Sequence, residues 1–256
     1  MSLRILITND DGFDAPGIAI MAEIARAITD DVWIVAPDAN QSGAGHRFTL
    51  GHELTIDARG PRSFAIVGGS PADCVVAGMT HLLGDRKADV VLSGVNAGQN
   101  LGDVINCSGT AAGAREGVMQ GALGIAMSQS FNYENGRHVD WSNVRAHGLA
   151  AARSIISVAQ HDREHYYNVN FPFCAPELTK GIAVVPHQRF ARSPFSYYQS
   201  DNAGKFFVAI PETPLPLHPD HDFEVMRRDS VVTVTPLLLQ QTDMAAVERL
   251  KGTLSL

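Results

Sequence analysis

Cysteine is scarce: Cys74, Cys107 and Cys174 are the only three among 256 residues, and none of them forms a C-x-x-C pair. An odd, scattered set excludes a disulfide framework and reads as reduced thiols in a cytosolic protein. Basic residues are in deficit, with 20 Lys and Arg against 27 Asp and Glu and a net charge of −7. That balance argues against a general nucleic-acid binder, whose footprint is a basic face. No apolar run approaches the roughly 20 residues that span a bilayer. The opening MSLRILITNDDG turns polar after one short apolar stretch, unlike a signal peptide. Repeats and low-complexity segments are lacking too. What is present, 45% hydrophobic and 18% charged residues, suffices to bury a sizeable core and excludes a disordered chain. At roughly 150 residues per domain, the length suits one large domain or a core with an appendage.

Two hydrophobic periods alternate through the first half. Short apolar runs at Leu3–Ile7, Asp31–Val35, Phe64–Val67, Asp89–Leu92 and Ile125–Met127 read as strands. Between the first two, Ile18, Met21, Ala22, Ala25 and Ile28 recur at helical spacing, with Pro16 near the helix start. Further helices are expected near 71–83 and 109–122, and a long one from about Ser142 to Gln160 buries Val144, Gly148, Ala152, Ile155 and Ala159. Near-continuous apolar strands alternating with helices predict a parallel, doubly wound, Rossmann-like α/β sheet with helices on both faces. After residue 165 the pattern changes: strand-like pieces at Tyr167–Phe171, Ile182–Val185, Lys205–Ile210 and Val231–Val234 mix with Pro211, Pro214, Pro216 and Pro219. The expected division is a catalytic core over 1–185 and a C-terminal extension over 186–256. That extension comprises an antiparallel hairpin arm, a returning strand and a terminal helix near 242–251.

Open α/β sheets bind ligands at the carboxyl ends of their strands. Four polar clusters are expected there: Asn9-Asp10-Asp11-Gly12, the Pro37–Thr49 loop with Asn40 to His46, Ser93 to Gly98, and Cys107-Ser108-Gly109-Thr110. Adjacent Asp10 and Asp11 repel unless a cation or hydrogen-bond donors compensate. A hard divalent ion is one answer, with Ser42 and Asn96 able to add neutral oxygens. Without a Cys/His set, magnesium or manganese suits such a site better than zinc. A plain turn before Gly12 is the other answer. Ser108-Gly109-Thr110 starts a helix whose free N–H groups suit phosphate, although Ser108 also reads as an ordinary cap.

Rival signals are weaker. His161 to His165 matches H-x-x-E-H but lies in a charged stretch after the long helix, where a solvated face is the simpler account. His218 and His221, with Asp220 and Asp222, either bind a metal or sit exposed in a Pro-rich loop. Gly68-Gly69-Ser70-Pro71 fails as a nucleophile elbow because Ala72 stands where Gly is required. Ser70 instead reads as a helix cap with Pro71 in the first turn and Asp73 completing a box. Neither a Walker A motif nor a Rossmann G-x-G-x-x-G follows strand one. Gly12 also departs from the D-x-D of aspartyl-phosphate phosphatases.

The ordered stretches ILITNDDGFDAPGI, VAPDANQSGAG, GGSPADCV, VLSGVNAGQNLGDV and SGTAAGAREG, extended by NVNFP and VTVTPL, resemble the SurE (survival protein E) family of metal-dependent 5′-nucleotidases. The resemblance implies Asp10, Asp11, Ser42 and Asn96 as ligands of one divalent ion (magnesium or manganese) per subunit. It implies that Asn9, Gly43, Ser108, Gly109 and Thr110 line the phosphate, with Asp10, Asp11 and Asn96 in catalysis. Implied too are hydrolysis of nucleoside 5′-monophosphates, with 3′-monophosphates and short polyphosphate as further substrates, and a cytoplasmic homodimer or homotetramer that exchanges its C-terminal arm. No membrane or nucleic-acid partner is expected. A nucleotide-binding regulatory module without turnover is the competing expectation, motivated by departures at His46-Arg47-Phe48, Gln99, Cys107 and Asp229-Ser230-Val231.

Overall fold

The computed structural model describes residues 2–132, 138–210 and 213–254, so Pro211 lies outside the described residues. The first half runs β1 (Arg4–Thr8), α1 (Pro16–Arg26), β2 (Asp31–Pro37), β3 (Thr55–Gly60), β4 (Ser63–Val67), α2 (Pro71–Ala77), β5 (Val90–Ala97) and α3 (Gly109–Met119). It continues through β6 (Leu123–Gln129), the short pair β7 (Phe131–Asn132) and β8 (His138–Val139), α4 (Ser142–Ala159) and β9 (His165–Phe171). The remainder holds β10 (Ile182–Val184), β11 (Ser196–Gln199), β12 (Phe206–Ala209), α5 (Asp222–Asp229), β13 (Val232–Leu238) and α6 (Met244–Leu250).

Among the described residues, nine strands form one sheet in the order β10-β13-β9-β6-β5-β1-β2-β4-β3. The run from β9 to β4 is parallel throughout. Ile5 and Ile7 of β1 join the core packed under α1 and α4, whereas Leu6 joins the core with Cys74, Val75 and Val91 on the other face. This alternation along one strand is what covering both faces requires, and the expected doubly wound α/β fold is observed. β13 pairs antiparallel with β9 and parallel with β10, so the chain beyond residue 186 returns into the main sheet. β11 and β12 form a separate antiparallel hairpin.

Three differences from the sequence expectations concern local chemistry. β5 does not stop at Leu92 but continues to Ala97, so the Ser93–Asn96 cluster is the end of a strand instead of a loop after it. β3 carries almost no buried side chain, and its Asp57 and Arg59 leave no apolar alternation to read. α3 ends at Met119, earlier than expected, because Gly121 takes a left-handed φ of +95° just beyond it.

Candidate active site

β1 enters the middle of the sheet because Ile5, Leu6 and Ile7 are fully buried. It delivers Asn9, Asp10 and Asp11 to the carboxyl edge. The chain turns there at Gly12, whose φ of +106° and close approach to the Ala39 backbone suit glycine alone. Asn9 Nδ2 closes that turn by donating to the Gly12 carbonyl at 2.8 Å, and its Oδ1 is buried without a protein partner. The two acids diverge. Asp10 Oδ1 accepts the Thr110 hydroxyl at 2.6 Å, and Asp11 Oδ2 accepts the Ala97 amide at 2.9 Å.

α3 reaches this edge through a stripe of glycines. A Cβ on Gly117 would lie 2.6 Å from Val91, one on Gly113 would lie 2.7 Å from Ser93 Oγ, and one on Gly109 would lie 2.7 Å from Asp10 Cβ. The helix therefore packs closely on β5 and β6, and its first turn abuts Asp10 at the end of β1. Ser108 caps the helix, accepting the Ala111 amide at 3.0 Å.

The loop after β2 folds over the same edge. Gln41 donates its amide to the Asp10 carbonyl at 2.7 Å, and Gly45 donates to the Cys107 carbonyl at 3.0 Å. Between these anchors Ser42 and Gly43 are exposed, and the Ser42 amide bonds Asn40 Oδ1 at 2.8 Å in an Asx turn. On β5, a register shift between Gly94 and Asn96 re-aims the strand end, and the Asn96 amide nitrogen donates to the Gly98 carbonyl at 2.7 Å. That bond fixes the side chain and leaves its oxygen as the free acceptor. All four polar clusters thus meet at one place, linked through Asp10 and Asp11.

Burial pushes the Asp10 carboxyl up to about 6; the Thr110 hydroxyl opposes the rise and the Asp11 charge adds to it. Burial raises Asp11 as well, against the pull of the Ala97 amide. Two neighbouring acids held uncomfortably as anions at the sheet edge, where the Ser42 loop and the Asn96 strand end also arrive, are oxygen donors of the kind that a hard divalent cation takes. Among the described residues no group of three or more His, Cys, Asp or Glu side chains gathers that could hold a metal ion.

A buried polar node behind the edge is illegible in the four clusters. Asn100 Nδ2 reaches Thr110 Oγ1 at 3.3 Å and Ser128 Oγ at 3.0 Å. Its backbone is clamped in turn by Asn170 and Asn168 of β9, whose amides donate to the Asn100 carbonyl at 3.1 and 2.7 Å. The signal available was the alternation Asn168-Val169-Asn170, which puts two amides on one face of a buried strand, where each must find partners.

The rival motifs resolve as structure. α4 ends at Ala159 and His165 opens β9, so the H-x-x-E-H pair does not share a helix; Asp162 instead binds His165 and Tyr167. The His218 and His221 rings stack at 4.2 Å, and Asp222 accepts the backbone amides of Gly102, Gln188 and Phe223. Ser70 and Asp73 form the expected capping box.

Residues 5–193 match the profile of a family described as Survival protein SurE. The 5′-nucleotidase SurE of Afipia carboxidovorans is 40% identical over 254 residues, covering 97% of each chain. That of Nitrobacter hamburgensis is 40% identical over 259 residues, covering 98% of this chain and 100% of its own. The crystal structure of the Sure protein from Aquifex aeolicus is similar with a TM-score of 0.83 at 29% identity, covering 97% of this chain and 98% of the other.

Proposed function

The chain belongs to the SurE family, and from that premise we propose that it is a 5′-nucleotidase that uses one divalent cation, magnesium or manganese, per subunit. The reaction releases phosphate and a nucleoside from a nucleoside 5′-monophosphate; 3′-monophosphates and short polyphosphate are further substrates in this reading. The carrying observation is the placement of Asp10 between the Thr110 hydroxyl and the glycine start of α3, with Asp11 beside it.

Asp10, Asp11, Ser42 and Asn96 would hold the cation. When bound, it neutralises phosphate oxygens and supplies an activated water. The first turn of α3, at Gly109 and Thr110, suits the remaining phosphate oxygens because it carries the positive end of the helix dipole. The exposed Gly43 lets the β2 loop backbone approach the phosphate from the opposite side. Gly12 stands where a D-x-D phosphatase has its second carboxylate, which favours attack by water over a phospho-aspartate. Phosphate release from a panel of nucleotides, abolished by a chelator and restored by manganese or magnesium, tests the reading; binding of nucleotide without release would replace it with the regulatory module.

The hairpin β11–β12 carries exposed Tyr197, Tyr198, Phe206 and Phe207. Such an apolar arm supports a homodimer or homotetramer built by arm exchange, which light scattering would read as a multiple of the 27.5 kDa chain. Three unpaired cysteines suit a cytoplasmic setting. Among the described residues no helix is long and apolar enough to cross a membrane.

A further inference from the structure

His46 stands on the loop after β2, three residues beyond Gly43, and reaches across to α3. Its Nε2 donates to Glu116 Oε2 at 3.0 Å. The Glu116 side chain is only 3% exposed, and its other oxygen accepts Gln120 Nε2 at 2.8 Å. A carboxylate this deep needs its hydrogen-bond donors, so the contact is costly to lose. Ser42 and Gly43 are exposed, and Gly43 and Gly45 hold φ of +80° and +55°, conformations that glycine adopts without strain. Backbone bonds from Gln41 to Asp10 and from Gly45 to Cys107 fix the ends of that stretch, and His46 adds a side-chain link to the helix itself. The ring also packs against Phe48 at 5.3 Å, which limits its rotation.

We propose that His46 is a positioning residue: through Glu116 it holds Ser42 and Gly43 in register with the start of α3, where Gly109 and Thr110 sit. The proposal rests on the reading of this edge as a cation and phosphate site. His46 touches neither aspartate, so it acts through the loop. The helix that receives the phosphate and the loop that closes over it are then one mechanical unit, joined by the Gly45–Cys107 backbone bond at the helix start and by the His46–Glu116 contact two turns further on.

The test compares His46→Ala, His46→Gln and Glu116→Met in the full chain. Gln keeps a donor at similar reach, and Met removes the acceptor without opening a large cavity. Manganese binding is measured by calorimetry without nucleotide, inhibition by inorganic phosphate is measured separately, and thermal midpoints are recorded. His46→Ala and Glu116→Met should each weaken manganese binding and phosphate inhibition about tenfold while kcat at saturating metal stays within about twofold. The double variant should be no worse than either single one, and His46→Gln should restore most of the loss. A lowered thermal midpoint with both affinities unchanged overturns the proposal. Should His46→Ala fail to fold, His46→Gln against His46→Asn, which is too short to span, decides the matter by the same readings. If the unaltered protein binds no manganese, the cation reading falls and phosphate inhibition alone judges the tether.

Discussion

Thr110 donates its hydroxyl to Asp10 across 2.6 Å, joining the start of α3 to the end of β1. The bond steadies a carboxylate that burial holds at about 6 instead of 3.8. A folded-state value above the unfolded one means stability that is greatest below about pH 4 and is lost as pH rises through 6. Metal-free protein should therefore become less stable over that window. Asp10→Asn keeps an acceptor for Thr110 but removes the charge. Its phosphate release should fall at least about a thousandfold, while its metal-free thermal midpoint at pH 7 should be equal to the parent's or higher by up to about 5 °C. Undiminished turnover would remove Asp10 from the reaction.

Gly109 inverts the usual rule for glycine in a helix. Replacing an exposed helical glycine by alanine commonly stabilises by about 1 kcal/mol. Here the added Cβ would stand 2.7 Å from Asp10 Cβ and 2.9 Å from Oδ2. Gly109→Ala should push the first turn away from the carboxylate, costing about 1–3 kcal/mol in a urea melt. A displacement near 1 Å at a reacting centre should also cut turnover about a hundredfold. A stabilised, fully active alanine variant would show that the helix start does not need this approach.

Asp162 gives the opposite pH signature, far from the site. Burial tends to raise its carboxyl, but the Tyr167 hydroxyl at 2.6 Å, the Glu164 and His165 amides and the His165 ring pull it down to about 2. A depressed value stabilises the fold above the unfolded value of about 4, and the gain is lost as pH falls through 2. Asp162→Asn should destabilise by about 1–2 kcal/mol at pH 7. The gap to the parent should close as acid denaturation is followed below pH 4. A pH-independent gap would assign the effect to shape alone.

The parallel sheet was legible because its signal is local: Ile5-Leu6-Ile7 and Val90-Val91-Leu92 are apolar enough to be buried on both faces, and Pro16 and Pro71 mark helix starts. The end of β1 was legible for the same reason, since polar residues directly after a buried run lie at the sheet edge; the end of β5 was not, because that strand runs on through Ser93 and Asn96 to Ala97. β3 was not, because an edge strand such as Thr55–Gly60 has no buried face to impose a period. The tether from His46 to Glu116 was also out of reach, since 70 residues separate the partners and neither side chain is unusual in its own segment. His46 drew notice as the last residue of the Asn40–His46 cluster and as a departure from the family pattern, not as a partner of Glu116. Asn100 was hidden differently: its importance comes from contacts with Thr110, Ser128, Asn168 and Asn170, which only the packed sheet brings together.

That node yields a graded expectation. Asn170 serves both groups of the Asn100 backbone, accepting its amide at 2.8 Å and donating to its carbonyl at 3.1 Å, whereas Asn168 donates only to the carbonyl. Asn170→Leu strands a buried amide and should cost about 2–4 kcal/mol. Asn168→Leu leaves the carbonyl its second donor and should cost less, about 1–2 kcal/mol. Because the Asn100 side chain reaches the Thr110 hydroxyl that binds Asp10, phosphate release should fall in the same order, with Asn170→Leu the poorer enzyme even at temperatures where both variants remain folded. Equal losses in the two variants, read by urea melts and by phosphate release side by side, would show that the Asn100 backbone is held by something other than these two amides.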